Sequence, residues 1–416
     1  MKRKYPLEGI KVANFSWTGV GPMCIRYLAH WGATVVRVEN HTRLDMPRVF
    51  LPFKDGIPGI NRSAMFANVN TSVLGVTINL NKQAGLDIAW KLIKWADVMA
   101  ESFTPGTMAK WGLDYESVSK VRPDIIYFST TQNGQTGPMS RVAGFGIHAQ
   151  ALAGFPYVCG WPDRGPAPTQ GAYTDYIAPR FGAVSILGAL EYRRRTGEGQ
   201  YIDQAQFEAG VQFLAPQIMD YRVNGRITGR NGNRLPNAAP HGAYPCKGDD
   251  RWCAIAVFSD DEWLRFRLAL GSPAWARDSR FGTFAGRKEH EDELDHLVGE
   301  RTSGYTAEEV ETLMQTVGVA ASVVQTSQDL YEDAHLAQQG YFRNLKHSEM
   351  GYIPYQGPQF ALSDSPDHQF ASPCIGEHND HVFKEILGMS DGQVARALAE
   401  GGITTNADLP EIKAAY

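Results

Sequence analysis

The chain has 416 residues, 43% of them apolar and 20% charged, with a formal net charge of −5. This is the composition of an ordinary globular protein of roughly two or three domains at ~150 residues each. It lacks the basic excess that neutralises nucleic-acid phosphates, and no apolar run reaches the ~18 residues that cross a bilayer, so neither nucleic acid nor membrane is an expected partner. The start, MKRKYPLEGIKVANF, leads into a strand pattern without the apolar stretch and cleavage site of a leader, and a cytoplasmic location is expected.

Strand and helix patterns alternate along the first half. KVANF (11–15) is a short apolar strand; GVGPMCIRYLAHWG follows, with Gly19 and Gly21 in a turn and Pro22 suited to the first helical position. TVVRVE (34–39) and VTINL (76–80) are further strands. AGLDIAWKLIKWA carries helical period, with Leu86, Ala89, Leu92, Ile93 and Ala96 on one face. DVMAES (97–102) and DIIYFST (124–130) complete the strand series. This rhythm predicts an α/β fold, a parallel sheet covered by helices on both faces.

Gly19 and Gly21 with Glu39 imitate a dinucleotide fingerprint, but Pro22 follows directly and no third glycine opens the helix, so a plain strand–helix connection is the better reading. Neither a phosphate loop nor a nucleophile elbow is present. Cys24, Cys159, Cys246, Cys253 and Cys374 are odd in number and scattered, which fits neither a disulfide framework nor a zinc site. His378 and His381 form an HxxH in GEHNDH, read as a solvated turn.

In GAYTDYIAPRFGAVSILGALEYRRRTGEGQ a loop leads into a helix that is apolar on nearly every side from Phe181 to Leu190, so it is expected to be buried. Arg193, Arg194 and Arg195 suit its C-terminal end and Gly197 its stop. Asp175 lies just before the positive N-terminal end, where the anion is favoured. It suits an N-cap, and an ionised carboxylate there can also serve as a nucleophile.

NTSV (70–73), ESFTPGTMAKWG (101–112) and STTQNGQTGPMSRVAGFG (129–146) are loops at strand ends bearing hydroxyl or basic groups, suited to an extended anionic ligand such as a nucleotide-bearing thioester. Beyond Asp220, VNGRITGRNGNRLPNAAPHGAYPCKGDD reads as a linker. RWCAIAV then reads as a strand and SDDEWLRFRLALG as a capped helix. HVFKEILG and SDGQVARALAEGG form a final helical pair. The expected division is a large domain over 1–220, a small domain over 228–325 and a closing segment over 330–416.

The order of PLEGIKVANFSWTGVGP, WGATVVRVE, NTSVLGVTINLNKQAG, ADVMAESFTPGTMAKWGLDYESV, RPDIIYFSTTQNGQTGP, the TDY segment, GALEYRRRTGEGQYIDQAQFEA, GVAASVVQTSQDLYEDAHLAQQGYF and IGEHNDHVFKEILG resembles the class III CoA-transferase family over nearly the whole chain. The resemblance implies a Rossmann-like large domain with a parallel sheet built from both chain ends, a smaller inserted α+β domain, and two subunits interlocked like links. It implies Asp175 as the catalytic aspartate. Gly19, Val20, Asn40, Asn70, Thr71, Ser72, Val73, Ser102, Phe103, Thr104, Lys110, Arg141, Val142, Ala143 and Gly144 are the implied coenzyme A contacts. Val73 stands where a lysine is common, Thr104 where an arginine is frequent, Asn14 where an aspartate is frequent, and Gly19 where formyl-CoA transferases carry glutamine.

The implied partners are an acyl-CoA and a carboxylic acid, with dicarboxylic and aromatic acids as the expected kinds, and no cofactor beyond coenzyme A. A second copy or a paralogous subunit is the implied protein partner. A CoA-ester racemase is the alternative activity. It needs an acid and a base on opposite faces of the α-carbon, and here GFGIH puts Phe145 and Gly146 where such relatives carry a His-Asp pair, with His148 out of register. A non-catalytic CoA-binding subunit is the remaining alternative.

Overall fold

The computed structural model describes residues 5–169 and 171–409; the basic start at 1–4 and the end at 410–416 lie outside them. The chain forms two compact units. The larger takes residues up to Phe155, Pro168–Gly225 and the chain from Ala337 onward; the smaller takes Pro156–Ala167 and Arg226–Leu336.

The larger unit is built on six strands: β1 (Lys11–Asn14), β2 (Thr34–Glu39), β3 (Leu74–Thr77), β4 (Val98–Glu101), β5 (Ile126–Thr131) and β6 (Gln200–Ala205). Their order is β3-β2-β1-β4-β5-β6, and every pairing is parallel. That order places the topological switch point between β1 and β4, where the crevice beyond the carboxyl ends receives ligands.

Alternation along each strand sends successive side chains to opposite faces. Val12, Val35, Val98, Ala100, Ile126 and Phe128 pack against α1 (Val20–His30) and the helix Tyr173–Thr196. Ala13, Val36, Val38, Met99 and Tyr127 pack on the other face against α2 (Gln83–Trp95). The C-terminal segment returns to that second face and buries Val382, Phe383, Met389, Ala397 and Ile403 in the same core. It brings a π-helical turn, His381–Ile386, and a helix, Asp391–Ala399, capped by Ser390. All six strands of this sheet come from residues 11–205; the chain's end adds cover and a separate antiparallel pair, Phe342–His347 with Gly351–Gln356, but no strand to the sheet.

Several sequence expectations are corrected here. α1 opens at Val20 with Gly19 as its cap, so Gly21 and Pro22 lie inside its first turn. A proline is tolerated there because the first N–H groups of a helix have no internal acceptor. The third strand covers Leu74–Thr77, earlier than 76–80. Numbering on, α3 is Gly146–Leu152 and α4 is Tyr173–Thr196. α4 is capped by Ala172, not Asp175, which is its third residue. Nor is α4 buried on all sides: Ala178, Gly182, Ile186 and Ala189 face the sheet, while Phe181, Val184 and Leu187 are exposed. It stops at Gly197, which has φ 81° and donates its N–H to the Arg193 carbonyl at 2.8 Å.

In the smaller unit, β7 (His241–Pro245), β8 (Trp252–Ala256) and β9 (Ala320–Val323) form an antiparallel sheet. β7 falls within the stretch expected to be linker. The helix Asp260–Ala269 is capped by Ser259, and its Trp263 and Phe266 join Phe281, Leu294, Val298, Val310 and Met314 in a separate core.

Candidate active site

Asp175 lines a pocket of about 170 Å³ in the larger unit, together with Trp17, Thr18, Gly19, Val20, Gly21, Ser102, Thr130–Gln132, Gly144–Gly146 and Gln206. The loop after β1, the loop after β4 and the start of α1 supply one wall, so the pocket opens at the switch point. Ser102 ties the two loops together: its Oγ accepts from the Trp17 N–H at 2.8 Å and donates to the Trp17 carbonyl at 3.1 Å. Thr18, with φ 67°, is held by its N–H donating to Asp45 Oδ1 at 2.9 Å. Asp45 itself pairs with Arg37, and Arg48 binds Glu39 through Nε at 2.7 Å and Nη2 at 2.6 Å. All four side chains are buried, so Glu39 is committed to this network and is not available to a ribose. Asn14 is structural: its Oδ1 accepts from the Ser16 N–H at 3.0 Å.

Asp175 is held from several directions. Gln206 Nε2 donates to its Oδ1 and also to Thr174 Oγ1 at 2.9 Å; the Thr174 hydroxyl donates to the Gly146 carbonyl at 3.0 Å. Pro179, four residues on, has no N–H to give the Asp175 carbonyl. A β-carbon at Gly19 would stand 3.5 Å from Asp175 Oδ2, and one at Gly146 would collide with Oδ1. Burial pushes the carboxyl up to about 6, against the Gln206 hydrogen bond, which pulls it down. Desolvation therefore outweighs the anion-favouring helix start expected from sequence, yet the group remains ionised at neutral pH. Among the described residues lining the pocket, Asp175 is the only acidic or basic side chain.

A second cavity of about 90 Å³ adjoins through Trp17 and is lined by Phe15, Val38, Asn40, Thr42, Arg43, Leu80, Asn81, Phe103 and Trp111, among others. Phe103 lies 6.0 Å from Trp17 and 5.5 Å from Trp111, centroid to centroid, and the Arg43 guanidinium sits 5.8 Å above the Trp17 ring. Aromatic walls with a guanidinium at the rim suit a flat, anionic nucleotide end.

The expected contacts divide accordingly. Gly19, Val20, Ser102 and Gly144 line the pocket with Asp175; Asn40 and Phe103 line the slot. Thr104, Lys110, Arg141, Val142 and Ala143 are exposed and line neither. Asn70, Thr71, Ser72 and Val73 are corrected: all four are buried and serve the fold. Asn70 Nδ2 donates to the Phe66 carbonyl at 3.0 Å, Thr71 Oγ1 bonds His30 Nε2 at 2.7 Å, Ser72 Oγ accepts from the Phe370 N–H at 3.1 Å, and Val73 is in the core. They precede β3 and so lie at its amino end, opposite the ligand edge; Leu80 and Asn81, beyond its carboxyl end, are the residues at the slot.

Sequence reasoning missed Trp17, Arg43, Trp111, Thr130, Gln132 and Gln206. Trp17 and Arg43 follow β1 and β2, so the same edge rule finds them; Gln206 carries no such signal. His148 Nδ1 accepts from the Phe145 N–H at 3.1 Å and does not line the pocket. His378 Nδ1 accepts from the Gly75 N–H at 3.1 Å, and no group of three or more potential metal-ligating His, Cys, Asp or Glu side chains occurs among the described residues. All five cysteines are free. No helix among the described residues is long and apolar enough to cross a membrane.

The fold is of the α/β class, with a pocket at the switch point of its parallel sheet. The sequence pattern of CoA-transferase family III matches residues 7–379, and the chain belongs to that family. It is 31% identical over 396 residues to succinyl-CoA–D-citramalate CoA-transferase of Chloroflexus aurantiacus, covering 95% of this chain and 97% of that one. It is 32% identical over 387 residues to succinate–glutarate CoA-transferase of Agrobacterium fabrum, covering 92% and 96%. Among solved structures, a CaiB/BaiF family protein from Brucella suis superposes with a TM-score of 0.85 at 29% identity, over 92% of this chain and all of that one.

Proposed function

We propose that the chain moves coenzyme A from an acyl-CoA thioester to a free carboxylic acid, with Asp175 as covalent nucleophile. The observation that carries this reading is a single, half-buried carboxylate in a small pocket that adjoins an aromatic slot. The Asp175 carboxylate attacks the thioester carbonyl, the C–S bond breaks and CoA thiolate leaves a mixed anhydride. The thiolate attacks the aspartyl carbonyl, the anhydride C–O bond breaks and the donor acid departs, leaving an aspartyl-CoA thioester. The acceptor carboxylate attacks that thioester and the two steps run in reverse. No net proton is taken up or released, and splitting the exchange into covalent steps lowers each barrier. The start of α1 at the pocket wall favours the developing oxyanion.

A volume of about 170 Å³, beside the ~150 Å³ that holds benzene in a known engineered cavity, supports a short acyl group over a bulky aromatic one. Succinyl-CoA with a short dicarboxylic or hydroxy acid, as the names of the relatives state for them, is the first substrate class to try. A racemase would need a second acid–base group, and the pocket lining supplies one such group only. The chain is further proposed to work as a dimer, supported by the exposed apolar row Phe181, Val184 and Leu187 on α4.

The test is incubation with succinyl-CoA followed by hydroxylamine or borohydride. An adduct on Asp175, and loss of both adduct and transfer in Asp175→Ala, are the expected results. Normal transfer by Asp175→Ala refutes the reading.

A further inference from the structure

The two oxygens of Asp175 stand in different surroundings. Oδ1 is enclosed: the Gln206 amide donates to it through Nε2, and the Gly146 α-carbon lies so close that a β-carbon there would overlap it. Oδ2 accepts no hydrogen bond from the described residues and faces Gly19 at the start of α1, where a β-carbon would stand 3.5 Å away. The oxygen on the Gly19 side is therefore the one free to attack an acyl carbon, and Oδ1 is the one held back.

A small network fixes which end of the Gln206 amide meets Oδ1. Gln206 opens the helix Gln206–Val211 beyond the carboxyl end of β6 and is 6% exposed. The Thr174 hydroxyl, fully buried, gives its one hydrogen to the Gly146 carbonyl at 3.0 Å, so toward Gln206 it can only accept. The amide atom 2.9 Å from that hydroxyl must then be the NH2 group. Its other hydrogen is the one given to Oδ1. The donor at Oδ1 is thus oriented by α3, α4 and the helix after β6 before any substrate arrives.

Charge on Oδ1 changes as the exchange proceeds. When Oδ2 attacks the donor thioester, Oδ1 becomes the carbonyl oxygen of the mixed anhydride and loses charge. When CoA thiolate adds to the Asp175 carboxyl carbon, the carbonyl π pair moves onto Oδ1; it returns as the bond to Oδ2 breaks and the donor acid departs with that oxygen. The acceptor carboxylate then adds at the same carbon, the pair moves onto Oδ1 again, and the bond to sulfur breaks, so an acceptor oxygen refills the Oδ2 position. A hydrogen bond that strengthens as this charge grows lowers both of these barriers and not that of the first attack. We propose that Gln206 is a catalytic residue that holds the oxyanion on Asp175 Oδ1 in the two steps at the aspartyl carbon, with Oδ2 as the attacking atom. This rests on the aspartyl transfer reading and adds to it the group that serves the aspartyl half of the reaction.

The test is the mass of the intact protein after mixing with succinyl-CoA and no acceptor acid. The wild-type chain is expected to gain CoA less one water, the aspartyl thioester. Gln206→Met keeps a side chain of similar length without the donor, so the first attack proceeds and the second stalls. Its expected adduct is the succinyl anhydride, with CoA thiol released and read by a disulfide reagent. Its kcat is expected to fall roughly a hundredfold to a thousandfold, as on removal of one oxyanion donor, with KM for succinyl-CoA changing much less. Gln206→Asn, with the amide one methylene short, should show the same switch to a smaller degree. The ratio of the two adducts is read within one preparation, so a misfolded fraction cancels, and a merely structural role, which slows both attacks alike, leaves it unmoved. A CoA adduct as dominant in both variants as in the wild type, or loss of every adduct together with thiol release, overturns the proposal while leaving aspartyl transfer standing. Absence of any adduct on Asp175 in the wild type removes the parent reading, and this one with it.

Discussion

Gly146 stands so close to Asp175 that a β-carbon on it would overlap the carboxylate Oδ1. The α-carbon of one residue therefore sets where the carboxylate of the other can lie. Gly146→Ala must displace the carboxylate, and a misplacement of ~1 Å costs about a hundredfold in rate. The expected result is a fall in kcat of that order with unchanged circular dichroism. Full activity in Gly146→Ala would mean the carboxylate tolerates another position.

Asp175 also makes activity and stability respond oppositely to pH. Its carboxyl is raised by burial to about 6 from 3.8, so, on the proposed mechanism, the acid limb of kcat/KM is expected to rise through about pH 6 as the carboxyl ionises. The folded state holds that proton more tightly than the unfolded chain does. The resulting stabilisation is full below the unfolded value and is lost as pH rises through the folded one. Asp175→Asn never ionises, so in denaturant titrations it should exceed the wild type by up to about 3 kcal/mol at pH 8 and converge with it near pH 4.

Glu101, buried at the end of β4, braces Phe103 of the slot. Its carboxylate accepts from the Phe103 N–H at 2.7 Å and from the Ser129 hydroxyl, and burial pushes it up to about 7, with Asp203 adding to the rise and those two bonds opposing it. Glu101→Ala leaves the Phe103 N–H unpaired, which costs about 1–3 kcal/mol. Because Phe103 lines the slot, KM for acyl-CoA is expected to rise more than kcat falls.

Arg43 and Trp111 should behave as pure binding groups. Removing Arg43 from above Trp17 forfeits about 0.5–2 kcal/mol of cation–π and charge attraction. Arg43→Ala and Trp111→Ala are each expected to raise KM for acyl-CoA several-fold with kcat nearly unchanged. An equal drop in kcat would place these residues in the chemical step.

Asp45 supports Thr18 from a fully buried position while neutralising Arg37. Asp45→Ala leaves the buried Arg37 with only Glu39 at 3.8 Å and the Ser16 carbonyl, a loss of up to about 3–5 kcal/mol. A markedly lower Tm, together with slower transfer from a loosened 17–21 loop, is the expected outcome.

Much of this architecture was legible because central parallel strands are buried on both faces and are rich in β-branched residues, as TVVRVE is in Val35, Val36 and Val38 even though it also carries the buried Arg37 and Glu39. β6 was not legible: QYIDQA lies at the sheet edge with alternate residues exposed and carries acid and amide side chains. Asp175 stood out because no other acid lies near it in sequence. The turn Asn70–Val73 misled, since hydroxyls and an amide beside a strand look the same at either end of it, and only the chain direction separates the ligand edge from the buried one. The glycine at 146 and the amide at 206 matter through distances across the fold, which no local pattern encodes.

The separation of Arg43 from the cation-free lining around Asp175 has a consequence for ionic strength. An exposed guanidinium at the mouth of a slot is screened by added salt within a Debye length of ~8 Å at physiological ionic strength. The pocket around Asp175 has no lysine or arginine among the described residues of its lining. Raising potassium chloride should thus weaken capture of the nucleotide tail while the turnover of already bound thioester stays level, so one titration with salt tells docking apart from bond exchange.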